Sequence, residues 1–196
     1  MRKLIYIIIV LLFAVEAHAD NFTSRLAKAS RENKTIIARF EQMKKVVGIK
    51  DEIKREGDFY YENSGKMALI YDKPKGDKIV MNGEEFSITI GDKNIESNAS
   101  SNPMMAQISY MMQASMSGDI NKLGKGWNMV ITEKENVYEV IIKPSERRIK
   151  RYISSMTMIF CNKTMTIDEL RIDEAKGGYT SYKFLSKEIN SRKPSF

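Results

Sequence analysis

The sequence predicts a mainly β domain: one strongly curved antiparallel sheet of about ten strands, closed or nearly so, with helices against its concave face. Three observations predict it. Segments with apolar residues at every second position follow one another along most of the chain. Clusters of Gly, Asn, Asp and Ser separate them with turn chemistry. Only two segments, 21–31 and 104–117, carry helical spacing instead.

The N-terminus sets the compartment. Arg2 and Lys3 precede the apolar run Leu4 to Val15, and Ala17-His18-Ala19 follows. A charged start, an apolar centre and an A-x-A site read as a secretory signal peptide, cleaved after Ala19. The apolar run is shorter than the ~20 residues a membrane-spanning helix needs. Residues 1–19 are therefore expected to leave, and 20–196 to fold as one domain. No cysteine lies near the cleavage site, so no thioether lipid anchor is expected there. The mature chain is expected to be soluble and outside the cytoplasm.

Asn21 to Arg31 reads as a helix, since Phe22, Leu26 and Ala29 share one face and Asp20 or Asn21 can cap it. Ile36 to Met43 is β-branched at its front and reads as the first strand. Glu52 to Tyr61 follows as a long strand with Gly57 inside it, which reads as a bend or bulge. Phe59 and Tyr61 share a face, and Glu62-Asn63-Ser64-Gly65-Lys66 reverses the chain. Met67, Leu69 and Tyr71 line one face of the next strand, with Ala68 and Ile70 on the other. Asp72 to Asp77 breaks that strand, and Lys78 to Met81 starts another before the hairpin pair Asn82-Gly83. Phe86, Ile88 and Ile90 alternate cleanly after it.

Asn98 to Pro103 reads as a linker, and Pro103 can open a helix. Met105, Ile108, Met112 and Met116 then fall on one helical stripe, broadened by Met104 and Met111. Methionine is unbranched and polarizable, so such a stripe can repack around varied apolar shapes, or simply seal a sheet. The second half reads as strands at Trp127–Glu133, Val137–Pro144, Lys150–Phe160, Met165–Glu174 and Tyr179–Leu185.

Composition removes several function classes. The formal net charge is +7, but the basic residues are scattered among acids, which reads as a solubilising surface and not a nucleic-acid site. The one histidine, His18, leaves with the signal. No Ser-His-Asp, Cys-His or HExxH chemistry is then available, and no cofactor or metal is implied. Cys161 stands alone, so it forms no intramolecular disulfide and reads as a small buried hydrophobe. Carboxylate-only chemistry remains open, though no spacing singles out a pair.

Many weak motifs recur in one order: Phe40-x-Gln42, Gly57-x-Phe59-Tyr60, Tyr71-x-x-Pro74 and Ile79-Val80-x-Asn82-Gly83. Pro144, Ile167-x-x-Leu170, Tyr179-Thr180-x-Tyr182-x-Phe184, Asn190 and Phe196 complete them. With this series the mature chain resembles the periplasmic outer-membrane lipoprotein carrier family, LolA. The resemblance implies an unclosed β-barrel of about ten or eleven strands, with a helical lid over an apolar cavity. It also implies acylated lipoproteins as cargo, an inner-membrane lipoprotein-releasing transporter as donor and an outer-membrane acceptor. Asn63-Ser64 stand where the family usually has Arg-Pro, and Ala68 stands where many members carry Arg. That arginine is implied to anchor the lid and assist release, so Asn63 and Ala68 mark the gate position.

The expected cavity floor is Phe59, Tyr61, Met67, Leu69, Phe86, Ile88 and Ile90, covered by Met105, Ile108, Met112 and Met116. Three readings follow: a monomeric lipoprotein carrier, a related carrier or chaperone for another lipid or apolar cargo, and a secreted carboxylate enzyme.

Overall fold

The computed structural model describes residues 21–83, 85–98, 113, 116 and 126–191. The expected signal peptide and most of the Met-rich segment, including Met105, Ile108 and Met112, lie outside them.

A helix, α1, covers 21–32. Eleven strands follow: β1 (Thr35–Lys45), β2 (Ile53–Glu62), β3 (Lys66–Tyr71), β4 (Lys78–Asn82), β5 (Glu85–Ile90) and β6 (Lys93–Asn98). The second set is β7 (Trp127–Glu133), β8 (Val137–Pro144), β9 (Ile153–Cys161), β10 (Ile167–Glu174) and β11 (Tyr179–Ile189). All pair antiparallel in one sheet of order β6-β5-β4-β3-β2-β1-β11-β10-β9-β8-β7. The two edges, β6 and β7, do not pair with each other, so the barrel is unclosed. The first and last strands of the chain, β1 and β11, lie side by side at its centre.

Period-two alternation builds the interior face. Ala38, Phe59, Leu69, Ile79 and Ile88 lie opposite one another across β1 to β5, and Ile36, Tyr61, Met67, Met81 and Phe86 form the neighbouring row. Tyr138, Phe160 and Ile167 form a row across β8 to β10. Helix α1 covers this second half. Its Phe22 is fully buried, with ring centroids 5.0 Å from Tyr138 and 5.2 Å from Phe160. Arg25 donates to the Tyr138 hydroxyl at 2.9 Å, which fixes the helix against β8. On the outer face, Arg39 bridges Asp58 at 2.9 Å and Asp72 at 2.5 Å across three strands.

Three local expectations change, and one strand was not anticipated. Gly57 is not a bulge: the register runs through it, with Phe40 on one side and Tyr71 on the other. A Cβ there would stand 2.0 Å from the Ile70 carbonyl oxygen and 2.8 Å from the Phe40 ring, so close approach explains the glycine. Register shifts lie instead in the β1–β11 pairing, between Ile37 and Arg39, and in the β9–β10 pairing, between Ile167 and Glu169 and between Asp173 and Glu174. Strand β9 starts later than periodicity suggests, because Ile149–Arg151 form a 3-10 turn that buries Ile149. Cys161 is half-buried at the end of β9 rather than enclosed. Strand β6 was not legible, since Lys93–Asn98 is polar and alternates weakly; its pairing with β5 forms it.

Candidate functional site

The interior face is covered by α1 on one side and left open at one end. That end is where β1, β3, β5, β8 and β10 finish. Successive antiparallel strands bring the 46–52, 72–77, 91–92, 145–152 and 175–178 connections together there. Beneath them lies a cavity of about 1150 Å³. This exceeds the ~300–1,000 Å³ of ordinary small-molecule pockets.

The cavity floor is apolar. Leu69, Ile79, Met81 and Ile88 come from β3 to β5, and Leu170, Ile172 and Phe184 from β10 and β11. Ile153 closes the side under β9, while Ile53, Ile90 and Tyr152 form an apolar rim that is about half exposed. Lys44, Lys78, Arg151 and Lys176 stand among the same lining residues, against Glu174.

A belt of polar groups crosses the wall. The Gln42 side chain donates to the Tyr182 hydroxyl at 2.8 Å. The Arg55 guanidinium lies 5.4 Å from the centre of the Tyr71 ring, a cation–π distance. Its Nη1 is 3.3 Å from Oδ2 of Asp77, whose Oδ1 accepts the Gly91 N–H at 2.9 Å. Burial pushes the Tyr71 and Tyr182 phenols above their ordinary value, so both stay neutral donors at physiological pH. No buried side-chain nitrogen or oxygen among the described residues lacks a partner. The belt is a finished structural network and presents no activated nucleophile.

The expected floor residues separate into two layers. Leu69, Ile88 and Ile90 line the large cavity. Tyr61, Met67 and Phe86 are buried one row deeper, in the packed core. Phe59 and Met116 meet with Phe184 around a gap of about 10 Å³, too small for a ligand. Met116 therefore seals the core at 8% exposure. Gln113 donates to the Gly83 carbonyl in the β4–β5 turn. At the gate position Asn63 is exposed in the β2–β3 turn and Ala68 is buried. The lining residues from β9 to β11 and the Arg55–Asp77 pair were not anticipated. Periodicity gives the face of a strand but not which positions along it border the cavity.

Among the described residues there is no group of His, Cys, Asp or Glu fit to hold a metal. No helix among them is long and apolar enough to cross a membrane.

Comparison with known proteins gives a family match over residues 31–194, to the family described as "Outer membrane lipoprotein carrier protein LolA". No curated protein matches the sequence. A DUF1329 family protein from Desulfovibrio piger superposes at TM-score 0.51 with 12% identity, covering 90% of this chain and 93% of that one. MucB, in the Pseudomonas aeruginosa MucA/MucB complex, superposes at 0.51 with 14% identity; 90% of this chain covers 58% of that one. At such identities these two likenesses establish a shared fold. A putative outer membrane lipoprotein-sorting protein domain from Vibrio parahaemolyticus aligns at TM-score 0.47 and 11% identity, covering 86% of this chain and 94% of that one.

Proposed function

This chain belongs to the LolA family, and on that premise we propose that it is a carrier which shelters acyl chains in the open cavity of its barrel. The cargo is an acylated lipoprotein, taken from an inner-membrane releasing transporter and passed to an outer-membrane acceptor. The single observation that carries this reading is the apolar floor of a cavity of about 1150 Å³ that opens at one end of the barrel. Each methylene kept from water contributes ~0.8 kcal/mol, so a ~16-carbon chain costs about 12 kcal/mol to expose. A cavity lined by Leu69, Ile79, Ile88 and Leu170 offsets that cost without any covalent step. Binding needs no catalytic group, and we assign no reaction to the protein. Release then depends on an acceptor that binds the chains more tightly, since binding alone moves cargo only downhill.

The proposal places the mature protein, from Asp20 onward, in the periplasm as a monomer, delivered there by the segment ending at Ala19. A related lipid cargo is the second reading. It is favoured by Ala68, buried where many family members carry arginine, and by Asn63, exposed at the other gate position. Native mass spectrometry of protein purified from its own periplasm separates the two. A bound triacylated lipoprotein supports the first, a free lipid mass supports the second, and a chain that never retains an apolar mass contradicts both.

A further inference from the structure

The open end of the barrel carries a surface that cavity binding does not use. We propose that this end docks onto the surface of an anionic lipid bilayer, with the cavity mouth facing the membrane.

Three contacts tie these connections into two groups that flank the mouth. A Cβ on Gly177, in the β10–β11 turn, would stand 3.8 Å from a Val47 methyl in the β1–β2 turn. The Ala175 N–H donates to the Tyr152 carbonyl at 2.9 Å, joining the same turn to the β8–β9 connection. Asp77 and Gly91 join the β3–β4 and β5–β6 turns opposite.

Apolar side chains are exposed here against the usual rule of burial. Val47 is 60% exposed and Ile49 49%, at the tip of the β1–β2 turn. Ile53, Ile90 and Tyr152 are exposed around the mouth itself. Singly exposed aliphatics are normal, but five on one end of a sheet form a patch. Tyrosine and branched aliphatics are suited to the interfacial layer of a bilayer, where an apolar body can be buried shallowly.

The charge has the matching sign. The β8–β9 connection, 145–152, carries Arg147, Arg148, Lys150 and Arg151 against Glu146, and all five are exposed. Ile149 between them is buried, so the 3-10 turn fixes these cations outward on the rim. Three turns at the opposite end, 63–65, 134–136 and 162–166, carry Glu135 against Lys134 and Lys163. None of the exposed large hydrophobic residues lies in those three turns. The other connections at this end add Lys50, Lys73, Lys75 and Lys176 against Asp51, Glu52, Asp72, Asp77 and Asp92, so the excess of cations lies in 145–152 and coincides there with the apolar mouth. An acidic protein would satisfy the cations but leave the aliphatic tip in water, so the combination favours anionic lipid.

The docking does not depend on what the cavity carries. Its test is co-sedimentation of the full mature chain with phosphatidylglycerol–phosphatidylcholine vesicles and with pure phosphatidylcholine vesicles. Binding is expected to the anionic vesicles only and to fall with added salt. A basic side chain near such a surface contributes about a fivefold gain. Arg147→Glu/Arg148→Glu is therefore expected to weaken binding more than ~tenfold. Val47→Asp/Ile49→Asp is expected to weaken it comparably, and both variants should keep wild-type thermal melts and acyl-probe binding. Wild-type protein that stays in the supernatant with anionic vesicles overturns the proposal. So does equal binding to neutral vesicles, or binding that both variants retain. Leu69→Asp should lose the acyl probe yet still sediment, so failure of the carrier reading and failure of docking give different results.

Discussion

Arg55 and Asp77 meet in the cavity wall, Nη1 to Oδ2 at 3.3 Å, although one stands in a strand and the other in the turn after β3. Asp77 is only 1% exposed and also accepts the Gly91 N–H, so one carboxylate holds β2, β4 and the β5–β6 turn in place. The Arg55 side chain is 35% exposed, and solvent screens its share of the pair.

Asp77→Ala should therefore destabilise the fold by about 2 kcal/mol, mostly through the orphaned Gly91 N–H and a strained turn. Asp77→Asn, which keeps that acceptor, should cost about half as much. Urea unfolding measures both. Equal effects would show that charge, and not the hydrogen bond, holds the turn.

Gly57→Ala should cost about 3 kcal/mol or more, because the new methyl meets the Ile70 carbonyl at 2.0 Å. Shortening Phe40 to leucine should not restore stability, since the nearer obstacle is backbone. A rescued melting temperature in the double variant would locate the clash in the Phe40 ring instead.

Tyr61 supplies a pH dependence. Burial pushes its phenol up to about 12 from 10.0. A group with a raised folded-state pKa gives stability that is complete below the unfolded value and is lost as pH rises through the folded one. Unfolding free energy should therefore fall steadily above pH 10, and Tyr61→Phe should flatten that fall. Identical alkaline slopes for the two proteins would count against burial of this phenol.

Much of the fold was legible, and the limits are instructive. Phe22, Leu26 and Ala29 gave α1, and the alternations Phe59/Tyr61, Met67/Leu69/Tyr71 and Phe86/Ile88 gave β2, β3 and β5 with their inner faces correct. Depth was not legible. Leu69 and Met67 look alike in the sequence, yet Leu69 lines the cavity and Met67 lies one row away in the packed core. The Gln42–Tyr182 hydrogen bond spans 140 positions and leaves no local trace. Asp77 read as a turn residue because turn composition reports the reversal, not the Arg55 partner on the adjacent strand β2. The edge strand β6 has a single apolar residue, Ile95, so only its hairpin with β5 defines it.

The carrier reading turns on whether hydrocarbon enters the space above Leu69. Titration of the mature protein with a fluorescent fatty-acyl probe tests this most directly, with Leu69→Asp set beside Leu185→Asp, a change on the exposed outer face. Saturable binding that Leu69→Asp weakens at least ~tenfold, and Leu185→Asp leaves intact, is the expected result. Equal binding by all three folded proteins would contradict it.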